Sequence, residues 1–468
     1  MKGVGSVSTK QLAKNAARYQ TNISKVSLLN ALANGGPLVW VSALIMGFGN
    51  LMAGQVIKAL LFLAVEVAFV IFMVIENGGL HWLSLLPSLG DRETEKVWND
   101  ADFVWEYIPG DNSQQILLYA VASMVAIAAF VVVWRSSIRS GFVALNIKKS
   151  GKKVPTIVGD IKELFDNNIH KLLMFPPFMM LMIFTIVPLF YMMLMAFTNY
   201  DKQHLTLFDW VGLQNFMSLF DSSSALGRQF WPVLQWTLIW AFFATFLNFF
   251  AGTVMAMIIN RPSTRLKGMW RTILSLTIAV PQFVSLLIIR TMFKDEGAVN
   301  SLLMSWGWIE APLPFFTDAT WARVTIILIN CWVGIPYTVM SVTGILQNIP
   351  AEQYEAARID GANAFQQFTN VTLPYMIFVM TPTLISSFTG NINTFNIIYL
   401  LSGGGPTYIG DSAGQTDLLV TWLYKLTMDN QDYNLAAVIG ILTFVVLATV
   451  ALITYRSSGS YKNEEGFK

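Results

Sequence analysis

"EAARIDGANAFQQFTNVTLP", residues 355–374, is a polar, small-residue stretch set between two long apolar runs. Just upstream, Pro350 suits the first position of a helix, where its missing N–H costs nothing, and "AEQYEAARID" continues as helix. Gly361 then breaks that helix, "ANAFQQFTN" supports a second short one, and Pro374 restarts the chain toward the next apolar run. Ala356 and Ala357 leave a low surface that another body can approach closely, and Glu355 offers a charge to pair. Phe365 and Phe368 are bulky enough to wedge into a partner or back onto the protein. A plain connection needs none of these features. The stretch reads as a docking surface, and its flanks decide which fold carries it.

Those flanks are made for lipid. Of 468 residues, 54% are hydrophobic and 12% charged, about half the charged share of a soluble globular protein. Eight runs reach the ~20 residues needed to cross a bilayer. They lie near Val56–Ile75, Ile116–Trp134, Leu172–Phe197, Phe230–Ile259, Trp270–Phe293, Val324–Leu346, Tyr375–Leu401 and Leu435–Tyr455. A ninth, Val39–Met52, has only 14 residues and contains Gly47 and Gly49, so it is expected to lie in or on the membrane. Lipid tolerates only helices and closed barrels, and these runs are too long for barrel strands. The expected fold is all-α and polytopic: eight transmembrane helices plus a short N-terminal interfacial or re-entrant helix.

Charge orients the spans. The tail before residue 36 carries Lys2, Lys10, Lys14, Arg18 and Lys25 and no acid. Arg135, Arg139, Lys148, Lys149, Lys152 and Lys153 follow the second span, and Arg261, Arg265 and Lys267 follow the fourth. The alternate loops are acidic, with Asp91, Glu93, Glu95, Asp100, Asp102 and Glu106 in one and Asp411, Asp417, Asp429 and Asp432 in another. Basic segments stay in the cytoplasm. Eight spans with both termini cytoplasmic satisfy every loop, and place 350–374 inside the cell. The basic start resembles a signal peptide but lacks an A-x-A site, so it is read as retained. The expected organisation is a basic tail (1–35), an N-terminal membrane region ending in a basic linker (36–171), a six-span core (172–457) and a cytoplasmic C-terminal tail (458–468).

Several chemistries are excluded. No G-x-x-x-x-G-K-[ST] phosphate loop occurs. Gly403-Gly404-Gly405-Pro406 lacks the lysine and reads as a tight turn leaving span seven. His81, His170 and His204 are scattered without metal-ligand spacing, so no metal site is expected. No catalytic constellation appears. Cys331 is the single cysteine, so no intrachain disulfide can form. At membrane depth the ionisable residue is Glu66 in span one, a candidate proton-relay group by default, with a structural role as the plainer reading. Without countercharges in the later spans, whatever crosses is expected to be neutral.

Spans six and seven are unusually polar at their middles. Span six carries Asn330, Trp332, Gly334, Pro336, Tyr337, Thr338 and Ser341; span seven carries Ser386, Ser387, Thr389, Asn391, Asn393, Thr394 and Asn396. Amides and hydroxyls donate and accept together, as a sugar hydroxyl does, and Trp or Tyr faces suit a pyranose ring. Pro336, Pro281 and Pro188 free backbone groups mid-span, and broken helices of this kind often border a substrate cavity. Small polar residues also glue helices together, which explains serines and threonines better than three asparagines within six residues.

The pattern E-A-A, three residues, G, then a helix ending in L-P resembles the coupling loop of ABC-importer permeases, which docks into the ATP-binding subunit. Glu355, Ala356, Ala357, Gly361, Leu373 and Pro374 fall in place, with Phe365 in the second helix. "AFTNY" (196–200), "VGLQNF" (211–216), "AVPQFVS" (279–285), "GGGPT" (403–407) and "TDLLVTWLYKL…YNLAAVIGILTF" are similar to the larger permease subunit of maltose/maltodextrin-type importers, over roughly residues 172–460. The resemblance implies an ABC type I importer core with a second homologous permease, a dimer of ATPase subunits binding ATP and Mg, and an extracellular sugar-binding (lipo)protein. It implies no cofactor, enzyme activity or nucleic acid for this chain. Carried over by position, the sugar contacts fall on Val333, Gly334, Tyr337, Ser387, Gly390, Asn391 and Thr394. At Gly390 the maltose permease has a large aromatic, so a wider cavity is implied, for maltodextrins or galacto-oligosaccharides. The first outer loop, about 40 residues, lacks that permease's large insertion and resembles Gram-positive importers. The competing expectation is a stand-alone proton-coupled sugar carrier using Glu66.

Overall fold

Because lipid offers no hydrogen bonds, the apolar runs satisfy their backbone groups internally and fold as helices. The computed structural model describes residues 26–99, 103–166, 169–261 and 263–457. The basic tail from Lys2 to Lys25, Asp100, Asp102 and the tail 458–468 lie outside these residues. Among the described residues seven helices are long and apolar enough to cross a membrane, or eight if one sharply bent pair counts as a span. The chain forms two compact units: residues up to Asn199 with His204–Trp210, and Tyr200–Gln203 with Val211 onward.

In the first unit the short run Val39–Met52 is broken in two. Helix α1, Pro37–Leu44, starts on its proline, the chain reverses at Gly47 (φ 82°), and α2, Phe48–Met52, follows. At 8 and 5 residues, neither piece is long enough to cross. Gly47 is required twice over: its φ is left-handed, and a Cβ there would fall 2.5 Å from the Ala59 carbonyl oxygen. Span one is α3, Val56–Val74. Its Glu66 carboxylate accepts the Met46 N–H at 2.8 Å, meeting a backbone donor freed by the break between α1 and α2. After α3, strands β1 (Glu95–Asn99) and β2 (Val104–Ile108) pair antiparallel with Trp98 opposite Trp105. This hairpin departs from the all-α expectation; five-residue strands alternate too briefly to stand out in sequence.

Helix α4, Ser113–Lys149, is capped by Asn112, whose side chain accepts from Gln115 N. It runs for 37 residues, well past the expected end at Trp134, carrying Gly141 within it and ending before Gly151, whose φ is 71°. Part of the basic linker is therefore helix. Its seam with the α1–α2 region combines apolar packing of Val39 with Ile138 and Phe142 and polar contacts: Gly47 N donates to Ser137 Oγ, and Asn50 Nδ2 donates to Ser140 Oγ and Gln55 Oε1. Helix α5, Ile157–Asp166, precedes span three, which is α6 (Ile169–Leu181), a π-helical turn (Met182–Ile186) and α7 (Val187–Met195). The wider turn accommodates Pro188, which lies in the first turn of α7.

The second unit is built around α8, Ala225–Asn260, and α11, Ala319–Asn348. Between them, the expected span Trp270–Phe293 is corrected to two helices, α9 (Lys267–Ala279) and α10 (Gln282–Met292), bent by 90°. Pro281 lacks the N–H to continue α9 and pushes Val280 to extended geometry (ψ 129°). After α11 come α12 (Ala351–Ile359), α13 (Ala364–Gln367), a π-helical turn (Phe368–Thr372) and α14 (Leu373–Ile392). Span seven, expected to reach Leu401, also breaks: α14 stops at Ile392 and helix resumes only at Asn396. The last span is α15, Tyr433–Ser457. Helices α8 and α11 approach closely where small residues allow it. A Cβ on Gly334 would fall 2.2 Å from Asn248 Nδ2, and one on Gly252 would fall 2.5 Å from Thr338 Cβ. Two apolar clusters form, one around Trp236, Trp240, Leu286 and Ile326, the other around Phe249, Ala256, Val339 and Met376.

Candidate functional site

Between those clusters, in the middle of α8, α11 and α14, lies a cavity of about 650 Å³. Val333, Gly334, Tyr337, Ser387, Gly390, Asn391 and Thr394 all line it. So do Asn330, Thr338, Ser341, Asn393 and Asn396, while among the described residues no Asp, Glu, Lys, Arg or His does. The break after α14 falls here. Asn393 N donates to Gly390 O and Thr394 N to Asn391 O as the helix unwinds, so Asn391, Asn393 and Thr394 fall at a helix end. Asn391 is held on two sides: its side-chain Nδ2 donates to Thr245 Oγ1 at 2.9 Å, and its backbone carbonyl accepts from Trp240 Nε1 at 3.1 Å. Space is open where a Cβ on Gly390 would stand. An adjoining cavity of about 400 Å³ is lined by the bend itself, Thr277–Gln282, with Ser285 and Trp332, and shares Gln282, Val333 and Tyr337 with the larger one.

At the far end of α14, Glu355 and Ala356 are exposed on α12 and Ala357 is half-buried. Gly361 follows with φ 78°, the left-handed geometry that suits glycine. Asn363 and Gln366 cap α13 reciprocally. Phe365 is 73% exposed, whereas Phe368 is half-buried. The second short helix does not stand alone: it passes through the π-helical turn into α14, with Leu373 and Pro374 in that helix's first turn. Tyr354 and Thr372 bond side chain to side chain at 2.9 Å, tying the two halves together.

Comparisons with known proteins agree with this layout. The model of the family described as binding-protein-dependent transport system inner membrane component matches residues 248–458. The maltodextrin transport system permease protein MalC of Streptococcus pneumoniae is 34% identical over 436 residues, covering 90% of this chain and 96% of its own. The chain belongs to this permease family. The galactooligosaccharides transport system permease protein GanP of Bacillus subtilis is 37% identical over 361 residues, covering 76% of this chain and 86% of its own. A crystal structure of a bacterial ABC transporter involved in the import of alginate shares the fold, with TM-score 0.53 at 23% identity over 63% of this chain and 96% of its own.

As an ABC-importer permease, the protein is a transport subunit of the cell membrane and not an enzyme; ATP hydrolysis belongs to a separate subunit. The stand-alone carrier is thereby set aside, and Glu66, engaged with Met46 N, has a structural partner. Sequence reasoning overlooked four polar residues of the permease cavity: Thr245, Asn248, Gln282 and Thr383. Thr245 and Asn248 stand three apart on α8, followed four on by Gly252, a small-polar stripe that could have marked the buried face. Gln282 sits directly after Pro281, at the bend.

Proposed function

We propose that this permease passes a neutral oligosaccharide, of the maltodextrin or galacto-oligosaccharide class, through the α8–α11–α14 cavity. The observation that carries the reading is a cavity whose polar lining is amides, hydroxyls and one tyrosine, set among apolar residues such as Phe249 and Met380, with no Asp, Glu, Lys, Arg or His among the described residues that line it. Hydroxyl-rich neutral ligands meet donors and acceptors there, and Tyr337 offers a ring face. The printed functions of the MalC and GanP relatives point to the same class. Val333, Gly334, Tyr337, Ser387, Gly390, Asn391 and Thr394 are the proposed contacts. A second homologous permease completes the pore, and an external sugar-binding lipoprotein delivers the ligand. A dimer of ATPases docks on Glu355, Ala356, Ala357, Gly361, Phe365, Leu373 and Pro374, and its closure drives the cavity outward. Both termini are cytoplasmic and the cell is Gram-positive, in keeping with relatives from Bacillus and Streptococcus.

The test is competition uptake with a ladder of oligosaccharides by the reconstituted complex. Gly390→Phe fills open space and is expected to shift preference toward shorter sugars. Asn391→Ala removes a hydrogen-bonding group worth about 1–3 kcal/mol when its partner is buried, and is expected to cut uptake five- to hundredfold while sparing ATPase stimulation by the loaded binding protein. Normal uptake by Asn391→Ala with an unchanged length profile in Gly390→Phe would make these residues helix glue. Orientation is checked separately in a Cys331→Ser background: Thr94→Cys should label from outside and Ser150→Cys from inside, both sites being exposed.

A further inference from the structure

Helix α5, Ile157–Asp166, plays no part in the cavity or the coupling segment, yet it is the most sharply two-faced helix of the first unit. Val158, Ile161 and Phe165 recur at spacings of three and four and so share one face. All three are exposed, at 56%, 49% and 57%. The helix is also pinned in place. Asp160 pairs with Lys58 Nζ at 3.0 Å, both side chains largely buried, and Gln55 Nε2 donates to the Pro155 carbonyl just upstream at 2.8 Å. Lys58 belongs to the first turn of α3, the helix that crosses the bilayer from Val56 to Val74. The ion pair therefore fixes α5 at the level where span one enters the hydrocarbon. Immediately before it, Lys149, Lys152 and Lys153 are exposed, and no acid occurs between Lys149 and Asp160.

We propose that α5 is an interfacial anchor for anionic lipid. Val158, Ile161 and Phe165 enter the acyl boundary beside α3, while Lys149, Lys152 and Lys153 meet phosphate headgroups. The exposed apolar face, the depth set by the Lys58–Asp160 pair and the adjoining positive charge each fit such a surface: amphipathic helices bind by apolar burial together with attraction to anionic headgroups. The assignment needs only that α3 crosses the membrane, and does not depend on what the cavity carries.

The test uses the full chain assembled with its partner subunits, in a Cys331→Ser background, in lipid nanodiscs of phosphatidylcholine with phosphatidylglycerol or of phosphatidylcholine alone. Nitroxide labels at Phe165→Cys and, before the helix, Ser150→Cys are compared for collision with oxygen, which concentrates in lipid, and with a water-soluble nickel chelate. The expected result is a several-fold oxygen preference at Phe165 and the reverse at the exposed Ser150 site. The Phe165 preference should fall in phosphatidylcholine alone, and in the mixed discs when Lys149, Lys152 and Lys153 are all changed to Gln. Free access of the nickel chelate to both labels would overturn the proposal, showing a water-exposed face. Exclusion of both probes from Phe165 would also overturn it, showing that a protein partner covers the helix. Insensitivity of the oxygen preference to phosphatidylglycerol and to the lysines would remove the anionic-lipid assignment.

Discussion

Beyond one end of α14, the loop from Ser402 to Asp417 is tied down by the protein's own side chains. Gln229 Oε1 accepts from Ser412 N, Ser412 Oγ and Ala413 N; Trp236 Nε1 donates to Thr416 O, and Arg323 Nε to Gln415 O. At its heart Asp417, fully buried, pairs with Lys425 at 2.6 Å. Burial pushes the Asp417 carboxyl up, and the neighbouring Lys425 ammonium works against that shift. Beyond the other end of α14, the coupling segment is the opposite case. Its side-chain hydrogen bonds stay within the segment, and Ile359 and Phe365 stand exposed at its surface. The loop after α14 draws its shape from the rest of the unit. The coupling segment is shaped internally, and its outer surface is left for another body to complete.

The contrast can be broken most strongly at Asp417. Asp417→Ala leaves Lys425 buried without its partner, and removing one member of such a pair costs about 3–5 kcal/mol. Thermal unfolding of the detergent-solubilised protein should show a large drop in midpoint; an unchanged midpoint would mean the loop is not held by this pair. The next effect is at Gly361. Gly361→Val forces a β-branched residue into left-handed geometry, a strain of about 1–3 kcal/mol. It is expected to abolish most binding-protein-stimulated ATPase of the reconstituted complex while lowering the unfolding midpoint less than Asp417→Ala does. Stimulation at the parental rate would deny the segment its coupling role. The smallest effect is at Tyr354. Tyr354→Phe removes the bond to Thr372, worth about 0.5–1.5 kcal/mol, and should lower stimulation only modestly. A loss as large as that of Gly361→Val would show that the two halves of the segment act as one lever.

The helical membrane fold was legible because the bilayer imposes a simple demand: long apolar runs must be helices, and basic segments orient them. The coupling segment was legible for a similarly local reason, since glycine suits the left-handed φ found at Gly361 and proline suits the first turn of a helix, where Pro374 stands. The polar centres of spans six and seven also stood out, because amides at membrane depth are costly unless something uses them. Their roles divided only in three dimensions, where Asn393 and Thr394 proved to sit at a helix break that the apolar run had concealed. Other features join residues far apart in sequence. Glu66 finds Met46, Asn391 finds Thr245, Gln229 finds the 412–413 backbone, and Lys58 finds Asp160. No local pattern encodes such pairs, because each depends on which faces of two helices, or of a helix and a loop, come together. Pro281 announced a break in span five, but its 90° bend emerged only with the helices packed. Composition and local chemistry thus determined which segments are helices and which groups are costly to bury; the folded structure decided where several helices end or break, which of those costly groups meet each other and which are left facing a cavity.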